Sequence, residues 1–214
     1  MSVKARLIVL FAALLLIPVF FTPIWSITLY APQYPDGIGM HIWLDDVTGH
    51  ERHDIRNINI LNHYVGMAEI HPEDFWEFDV MPWVFAFMIA FGLLVAGIGK
   101  VWLLFTWIGL FILLAIGGLA DFYYWGYQFG HDLDPQAPIK VDDMSYQPPL
   151  IGSKELLNIT AHSWPYWGTL FIGLSVVGAA LAYTWDKWID PNLSEENNEP
   201  KNETSRKETE YEQA

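Results

Sequence analysis

The chain has 214 residues, of which 52% are hydrophobic and 17% are charged, and its formal net charge is -14. It contains no cysteine, which excludes disulfides and thiolate metal sites. Its few basic residues argue against nucleic-acid binding, because phosphate contacts need a clustered basic surface. A chain that is both hydrophobic and acidic is expected to keep the two properties in separate segments.

Four apolar stretches, uncharged except for Asp121 and Asp186 at the ends of two of them, are each long enough to cross a membrane as a helix. They lie at about residues 7–29, 82–99, 101–121 and 164–186. A helix rises about 1.5 Å per residue, so about 20 apolar residues cross a hydrocarbon core of about 30 Å. The first stretch follows Lys4 and Arg6 as in a signal peptide, but it is longer than a signal core and no small-residue cleavage pattern follows it, so we expect an uncleaved anchor. The sequence therefore predicts an all-α membrane protein with four transmembrane helices.

The basic residues predict the orientation, since they are enriched in the cytoplasmic loops of membrane proteins. Four spans place both termini on one side, and that side holds most of the lysines and arginines, including Lys4, Arg6 and Lys100. We therefore expect cytoplasmic termini and a tight inner turn at 97–100. The long loops 30–81 and 122–163 are expected to face the periplasm. The predicted location is the inner (cytoplasmic) membrane, which makes the lipid bilayer the first partner.

The two outer loops are too long to lack structure, and we expect them to pack as a cap on the helices. Alternating apolar and polar residues over 38–45 indicate a strand, and Ile58 with Ile60 indicates a returning strand, so a short β-hairpin is predicted. The second loop is rich in proline and glycine and is expected to be irregular, with a short helix at 154–161.

The last segment of the chain differs from the rest in composition. Residues 190–214 are mostly polar and charged and offer almost nothing to bury. Such a segment cannot offset its ordering entropy, so we expect a disordered acidic cytoplasmic tail after a membrane domain at 1–189.

All seven histidines and most of the six methionines fall in the two outer loops. The spans therefore lack the histidines that would hold a b-type haem between helices, and their centres lack the acids of a proton or ion path. Imidazole, thioether and carboxylate groups can hold copper where thiols are absent, and imidazole also suits zinc.

The sharpest metal candidate is the pair His63 and Met67, which share one helix face if 61–70 is helical. His131 follows the third span. We expect a site built from His63, Met67 and His131, with Met40 or Met144 as further ligands. The alternative is that the spacing arises by chance and that Met67 packs as ordinary core.

Three of the other outer histidines are expected to play ordinary roles: His50 and His53 flank a turn and should be solvated, and His71 should pair with carboxylates. His41 lies in the predicted strand, and His162 lies at the mouth of the fourth span. No hydrolase, phosphate-binding or dinucleotide-binding motif is present in the sequence, so we do not expect an enzyme.

Several strings occur together in this chain. They are YPDG at 34–37 leading to MHI at 40–42, ILNHYVGM at 60–67, GHDLDP at 130–135 with API at 137–139, and YQPPLIG at 146–152. With them the chain resembles the small membrane accessory proteins of bacterial nitrous oxide reductase (nos) gene clusters, over about residues 5–188. The resemblance implies a non-enzymatic role in supporting the maturation or function of that periplasmic copper enzyme, with the enzyme or its maturation factors as partners. It makes copper the preferred metal and brings no functional residues with it.

Two other functions stay open at this point. The first is an electron-transfer or quinol-handling membrane subunit that uses the aromatic residues at 122–127 near Asp121 and His131. The second is a structural scaffold whose cap docks a periplasmic partner. A haem or quinone signal in the isolated protein favours the first, whereas partner binding that survives replacement of every outer histidine favours the second.

Overall fold

A computed structural model of the chain describes residues 1–139, 145–156 and 158–189. Four of its helices are long and apolar enough to cross a membrane, at Val3–Phe21, Glu77–Ile98, Val101–His131 and Trp167–Trp188. The prediction of four membrane-length helices is thereby confirmed. The tail predicted at 190–214 lies outside the described residues.

The first membrane helix is shorter than the sequence predicted. Helix α1 covers Val3–Leu14 and passes into a 3-10 turn at Ile17–Phe21, after which a strand begins at Trp25. Pro18 and Pro23 each lack a backbone donor, which ends the regular helix. Residues 25–29, predicted as part of a span, therefore belong to a sheet.

The other long helices occur in the predicted order, but they begin and end at residues other than those predicted. Helix α3 covers Glu77–Ile98, and Gly99 adopts a positive φ of 73° in the tight turn expected at 97–100. Helix α4 covers Val101–His131 and has 31 residues, or about 46 Å, so it exceeds the thickness of a hydrocarbon core. Helix α5 covers Trp167–Thr184 and continues as a π-helical turn at Trp185–Ile189.

Small residues bring the helices together. Ala5, Ala12 and Ala13 of α1 are fully buried, and α1 packs against both α3 and α5. Small side chains let helix backbones approach closely, which is the usual way in which helices associate in lipid. Trp107 of α4 is also fully buried and fills the space between the helices.

Hydrogen bonds join the N-terminus to the α3–α4 turn and to the end of α5, at one end of the helix bundle. The Met1 ammonium donates to the Gly99 carbonyl at 2.8 Å, and the Ser2 N–H donates to the Asp186 carboxylate at 2.5 Å. Arg6 Nε donates to the Ala96 carbonyl at 2.8 Å. The N-terminus, the α3–α4 turn and the end of α5 therefore lie together, at what we call the turn end.

At the opposite end, five strands form one antiparallel sheet, which is larger than the short β-hairpin that the sequence predicted. They are β1 (Trp25–Ala31), β2 (Tyr34–Ile42), β3 (Val47–Gly49), β4 (Gly152–Leu156) and β5 (Ile159–Pro165), in the order β3-β2-β1-β5-β4. The sheet unites both predicted outer loops. With the segments around it, at 22–76, 132–139 and 145–166, it forms what we call the cap.

Three expectations for the loops need correction. A strand does cover residues 38–42, but its partners are β1 and β3. The returning strand expected at Ile58 and Ile60 is wrong, because both residues lie in helix α2 (Asp54–Val65). The helix expected at 154–161 is wrong, since β4 and β5 form a hairpin there. The second loop is accordingly not irregular over 152–165, where Ile159, Ala161 and Ser163 place alternate side chains on one side of a strand.

The two faces of the sheet differ in character. One face packs against α2 and against the ends of α3 and α4 that are nearest the cap, around Ile38, Val47, Ile58 and Ile70. The register places Ser26 opposite His41, and Thr28 opposite His162, so these side chains share the other face. We call it the polar face; it carries Ser26, Thr28, Tyr30, Gly39, His41, Thr48, Ser153, Glu155, Thr160, His162 and Trp164.

Candidate functional sites on the cap

His63 and Met67 do not share a helix face. Helix α2 ends at Val65, and Gly66 adopts a left-handed φ of 82° as its C-cap. The Met67 N–H then donates to the Asn62 carbonyl at 2.9 Å, which closes the helix end in the common glycine-capped form. The expected pairing of His63 with Met67 depended on a helix through 61–70, and the prediction of that helix is wrong.

His131 is the last residue of α4, and its ring lies on its own helix. The imidazole stacks on Tyr127 with ring centroids 4.0 Å apart, and its Nδ1 lies 2.9 Å from the Tyr127 carbonyl oxygen. The following loop reaches α2, since the Asp134 N–H donates to the Gly66 carbonyl at 2.8 Å. The backbone near His131 thus meets the end of α2, while the His131 ring has partners of its own.

The two further methionines fall in different surroundings. Met40 lies on β2 and packs against the apolar cluster on the covered face of the sheet. Met144 lies outside the described residues. Over residues 1–139, 145–156 and 158–189, no three histidine, aspartate or glutamate side chains converge to hold a metal ion. The ligand set predicted from the sequence stays a prediction.

An open groove of about 660 Å³ runs between α2 and the segment that follows it. His63 lines this groove together with Arg56, Glu69 and His71. His71 Nε2 lies 3.3 Å from the Glu69 carboxylate, and its Nδ1 lies 3.9 Å from that of Glu73. The expected pairing of His71 with carboxylates is confirmed.

The groove has a fixed floor and a partly apolar rim. The Asn59 side chain donates to the Ile70 carbonyl at 3.2 Å and accepts from the Ile70 N–H at 2.8 Å. On the rim, Ile60 and Tyr64 are 42% and 48% exposed, and Ile139, which is 44% exposed, donates its N–H to the Tyr64 carbonyl. Clustered exposed apolar side chains are typical of surfaces that meet another protein.

Sequence reasoning missed a pair of histidines on the polar face. The rings of His41 and His50 have centroids 4.2 Å apart at an interplanar angle of 39°, and Tyr166 packs on His41 at 4.7 Å. His50 was expected to be solvated; it is exposed but lies against the sheet, with Nε2 2.9 Å from Ser26 Oγ. Burial, and then the neighbouring His50, lower the pKa of His41.

A second unforeseen pair lies where α3 and α4 enter the cap. The carboxyl groups of Glu77 and Asp121 lie close together, and Trp125 Nε1 donates to Glu77 Oε1 at 3.2 Å. The sequence placed Asp121 near a helix end but assigned Glu77 to a loop, so the pairing was not visible.

No family model, curated protein or solved structure matches the chain in comparisons with known proteins.

Proposed function

We propose that the protein is a non-enzymatic membrane accessory factor whose cap, on the periplasmic side of the inner membrane, supports the maturation or function of nitrous oxide reductase. The sequence resemblance supplies the identity of the partner. The structural observation that supports the role is the direct attachment of the cap to the membrane helices.

That attachment consists of short bonds between the last residues before the sheet and the first residues of α5. The Tyr166 N–H donates to the Ile24 carbonyl at 3.0 Å, and the Gly168 N–H donates to the Pro23 carbonyl at 2.7 Å. A Cβ at Gly168 would stand 2.7 Å from Ile24 Cγ2, so the backbones are in close contact. A cap held in this way keeps one height and orientation above the bilayer, which lowers the ordering cost of docking a partner.

Basic residues at the turn end support the orientation. Lys4 lies over the Trp185 ring at 5.7 Å, Lys187 lies over Trp188 at 5.8 Å, and Arg6 caps the α3–α4 turn. Lysine and arginine beside membrane helices favour the cytoplasmic side. The cap then faces the periplasm, where a copper enzyme could reach it.

The groove along α2 offers the most suitable contact surface for this partner. Its rim exposes Ile60 and Tyr64 beside the charged residues Arg56 and Glu69, and apolar anchors surrounded by polar groups are typical of protein interfaces. Copper handling through His63, Met67 and His131 belongs to the same proposal.

The test uses a bacterium that carries both this chain and the copper enzyme. Deletion of the chain should lower the copper content and activity of the purified reductase, and wild type should restore both. Ile60→Asp with Tyr64→Ala should restore them poorly, whereas Ile151→Asp, at another exposed position of the cap, should restore them fully. Equal copper content with and without the chain would overturn the proposal, provided that immunoblots show wild-type levels of each variant in the membrane.

A second candidate function, a quinol-handling subunit, is favoured by the carboxyl pair of Glu77 and Asp121. Aromatic rings surround this pair: Phe75 lies 4.7 Å from Trp125, and Phe122 lies 5.3 Å from Trp25. Carboxylate oxygens beside aromatic rings are suitable acceptors for hydrogen bonds from the hydroxyl groups of a bound quinol. Purified protein that retains quinone, and loses it with Asp121→Asn, would favour this candidate over the accessory role; a quinone-free preparation counts against it.

A further inference from the structure

The polar face carries a pair of candidate metal ligands that the sequence did not single out. We propose that His41 and His50 bind one copper or zinc ion through one imidazole nitrogen of each residue. This inference deepens the proposed function, on which it rests only for the choice of copper, and it uses residues other than His63, Met67 and His131.

The separation of the two rings fits a shared ion. Metal–nitrogen bonds are about 2.0–2.1 Å, so an ion lies about 3.2 Å from the centre of each imidazole that binds it. Two such rings at a right angle about the ion, as in a square-planar Cu(II) site, have centroids about 4.5 Å apart. The observed 4.2 Å differs from this by a small rotation of either ring.

Each ring keeps one nitrogen for a ligand. His50 Nε2 is engaged with Ser26 Oγ at 2.9 Å, which leaves Nδ1. His41 Nδ1 is shielded from solvent and has no hydrogen-bond partner within the part of the chain that the structure describes. A buried polar atom usually has a partner, and a metal ion would supply one here. The Ser26 contact corresponds to the outer bond that commonly orients a metal-binding histidine.

The backbone around His50 is built to hold its ring in place. A Cβ on Gly39 would overlap Cε1 and Nδ1 of His50, so the ring occupies space that only glycine leaves free. The Gly39 carbonyl accepts the His50 N–H at 2.9 Å, and the Gly39 N–H donates to the Asp54 carboxylate at 3.0 Å. Asp54 is buried and also accepts the Glu51 N–H, so the turn that carries His50 is fixed.

The donor set of the pair suits copper and leaves coordination positions open. No third histidine or carboxylate converges on the pair in the described ranges, so water would complete the coordination. Imidazoles without thiolate bind Cu(II) more tightly than Zn(II), and open positions suit an ion that is handed on.

The experiment titrates full-length protein in detergent with Cu(II), and separately with Zn(II), against a competing chelator. His41→Gln and His50→Gln should each weaken Cu(II) binding by at least about tenfold. His162→Gln on the same face and His63→Gln in the groove should leave that binding unchanged. Electron paramagnetic resonance of the Cu(II) form should show coupling to two imidazole nitrogens in wild type and to fewer in either variant.

A second variant keeps both histidines and removes only the bond that orients one ring. Ser26→Ala deletes the partner of His50 Nε2 without adding an atom, so it should also weaken Cu(II) binding, which guards against a loss caused by unfolding of the histidine variants. Unchanged Cu(II) affinity in His41→Gln and His50→Gln, or an equal loss in His162→Gln, would overturn the site. Loss of binding in these variants with full copper loading of the reductase in cells would confirm the site and reject its part in the proposed function.

Discussion

The indole of Trp107 lies directly against the backbone of Gly92 in the helical core. A Cβ at Gly92 would stand 2.6 Å from Cζ2 of this indole and 2.7 Å from the Cβ of Ala13. Trp107 is fully buried, and its Nε1 donates to the Met88 carbonyl at 2.9 Å. The meeting of α1, α3 and α4 thus depends on a position without a side chain.

Gly92→Ala should therefore destabilise the protein, by about 1–3 kcal/mol as is usual for overpacking a filled core. The measurement is thermal unfolding in detergent. Gly109→Ala on α4 is the matched control, because a Cβ there meets no atom within 4 Å. The control should be neutral or gain up to about 1 kcal/mol from helix propensity. Equal melting temperatures for the two variants would contradict this account of the core.

The segment after α2 depends on Asn59, whose side chain makes two hydrogen bonds with the backbone of Ile70. Asn59→Ala leaves that N–H and carbonyl without their partners, at a local cost of about 1–3 kcal/mol. We expect faster hydrogen exchange at the Ile70 amide and earlier proteolysis at 66–72. Asn57→Ala on the same helix is the control and should exchange as wild type does. Unchanged protection in Asn59→Ala would show that other contacts hold the segment.

Much of the architecture could be predicted because membrane helices depend on composition alone. Uncharged apolar stretches of sufficient length indicated all four helices. Strand β1 was missed because Trp25–Ala31 is also uncharged and continues an apolar stretch, although Ser26 and Thr28 alternate with Ile27 and Leu29 as in a half-buried strand. Its partner β5 lies far along the chain, and local patterns do not show which distant strands will pair.

The candidate site was harder to predict, for a related reason. The expectation for His63 and Met67 depended on a helix that Gly66 ends, and a glycine in this position is a recognisable stop. The contact of His41 with His50 depends on the turn after β3 and on the missing side chain of Gly39. Such a contact forms only when the register of the sheet is known, so spacing in the sequence does not indicate it.

Asp186 should stabilise the turn end of the molecule. It is 7% exposed and accepts the Ser2 N–H at 2.5 Å, which joins the end of α5 to the start of α1. Asp186→Ala removes the acceptor and should lower stability by about 1–3 kcal/mol. Asp186→Asn keeps a carbonyl oxygen at the same place and should melt closer to wild type in detergent. A wild-type melting temperature for Asp186→Ala would mean that water or another group replaces the carboxylate.

The stability of the cap should fall on mild acidification because of His41, whose pKa is lowered in the folded protein by burial and by His50. Above about pH 6.5 the imidazole is neutral in both the folded and the unfolded chain, so His41 adds no pH dependence. As the pH falls below that value, the unfolded chain takes up a proton that folded His41 does not, and stability drops until the pH reaches the lowered pKa.

The check is the melting temperature of metal-free protein, with chelator present, between pH 7.5 and 5. Wild type should lose more stability over this range than His41→Gln, which has no proton to take up at this position. His162→Gln, which removes another imidazole from the polar face, is the matched control and should keep the wild-type slope. Parallel curves for wild type and His41→Gln would show that the packing of His41 against His50 and Tyr166 opens before the imidazole gains its proton.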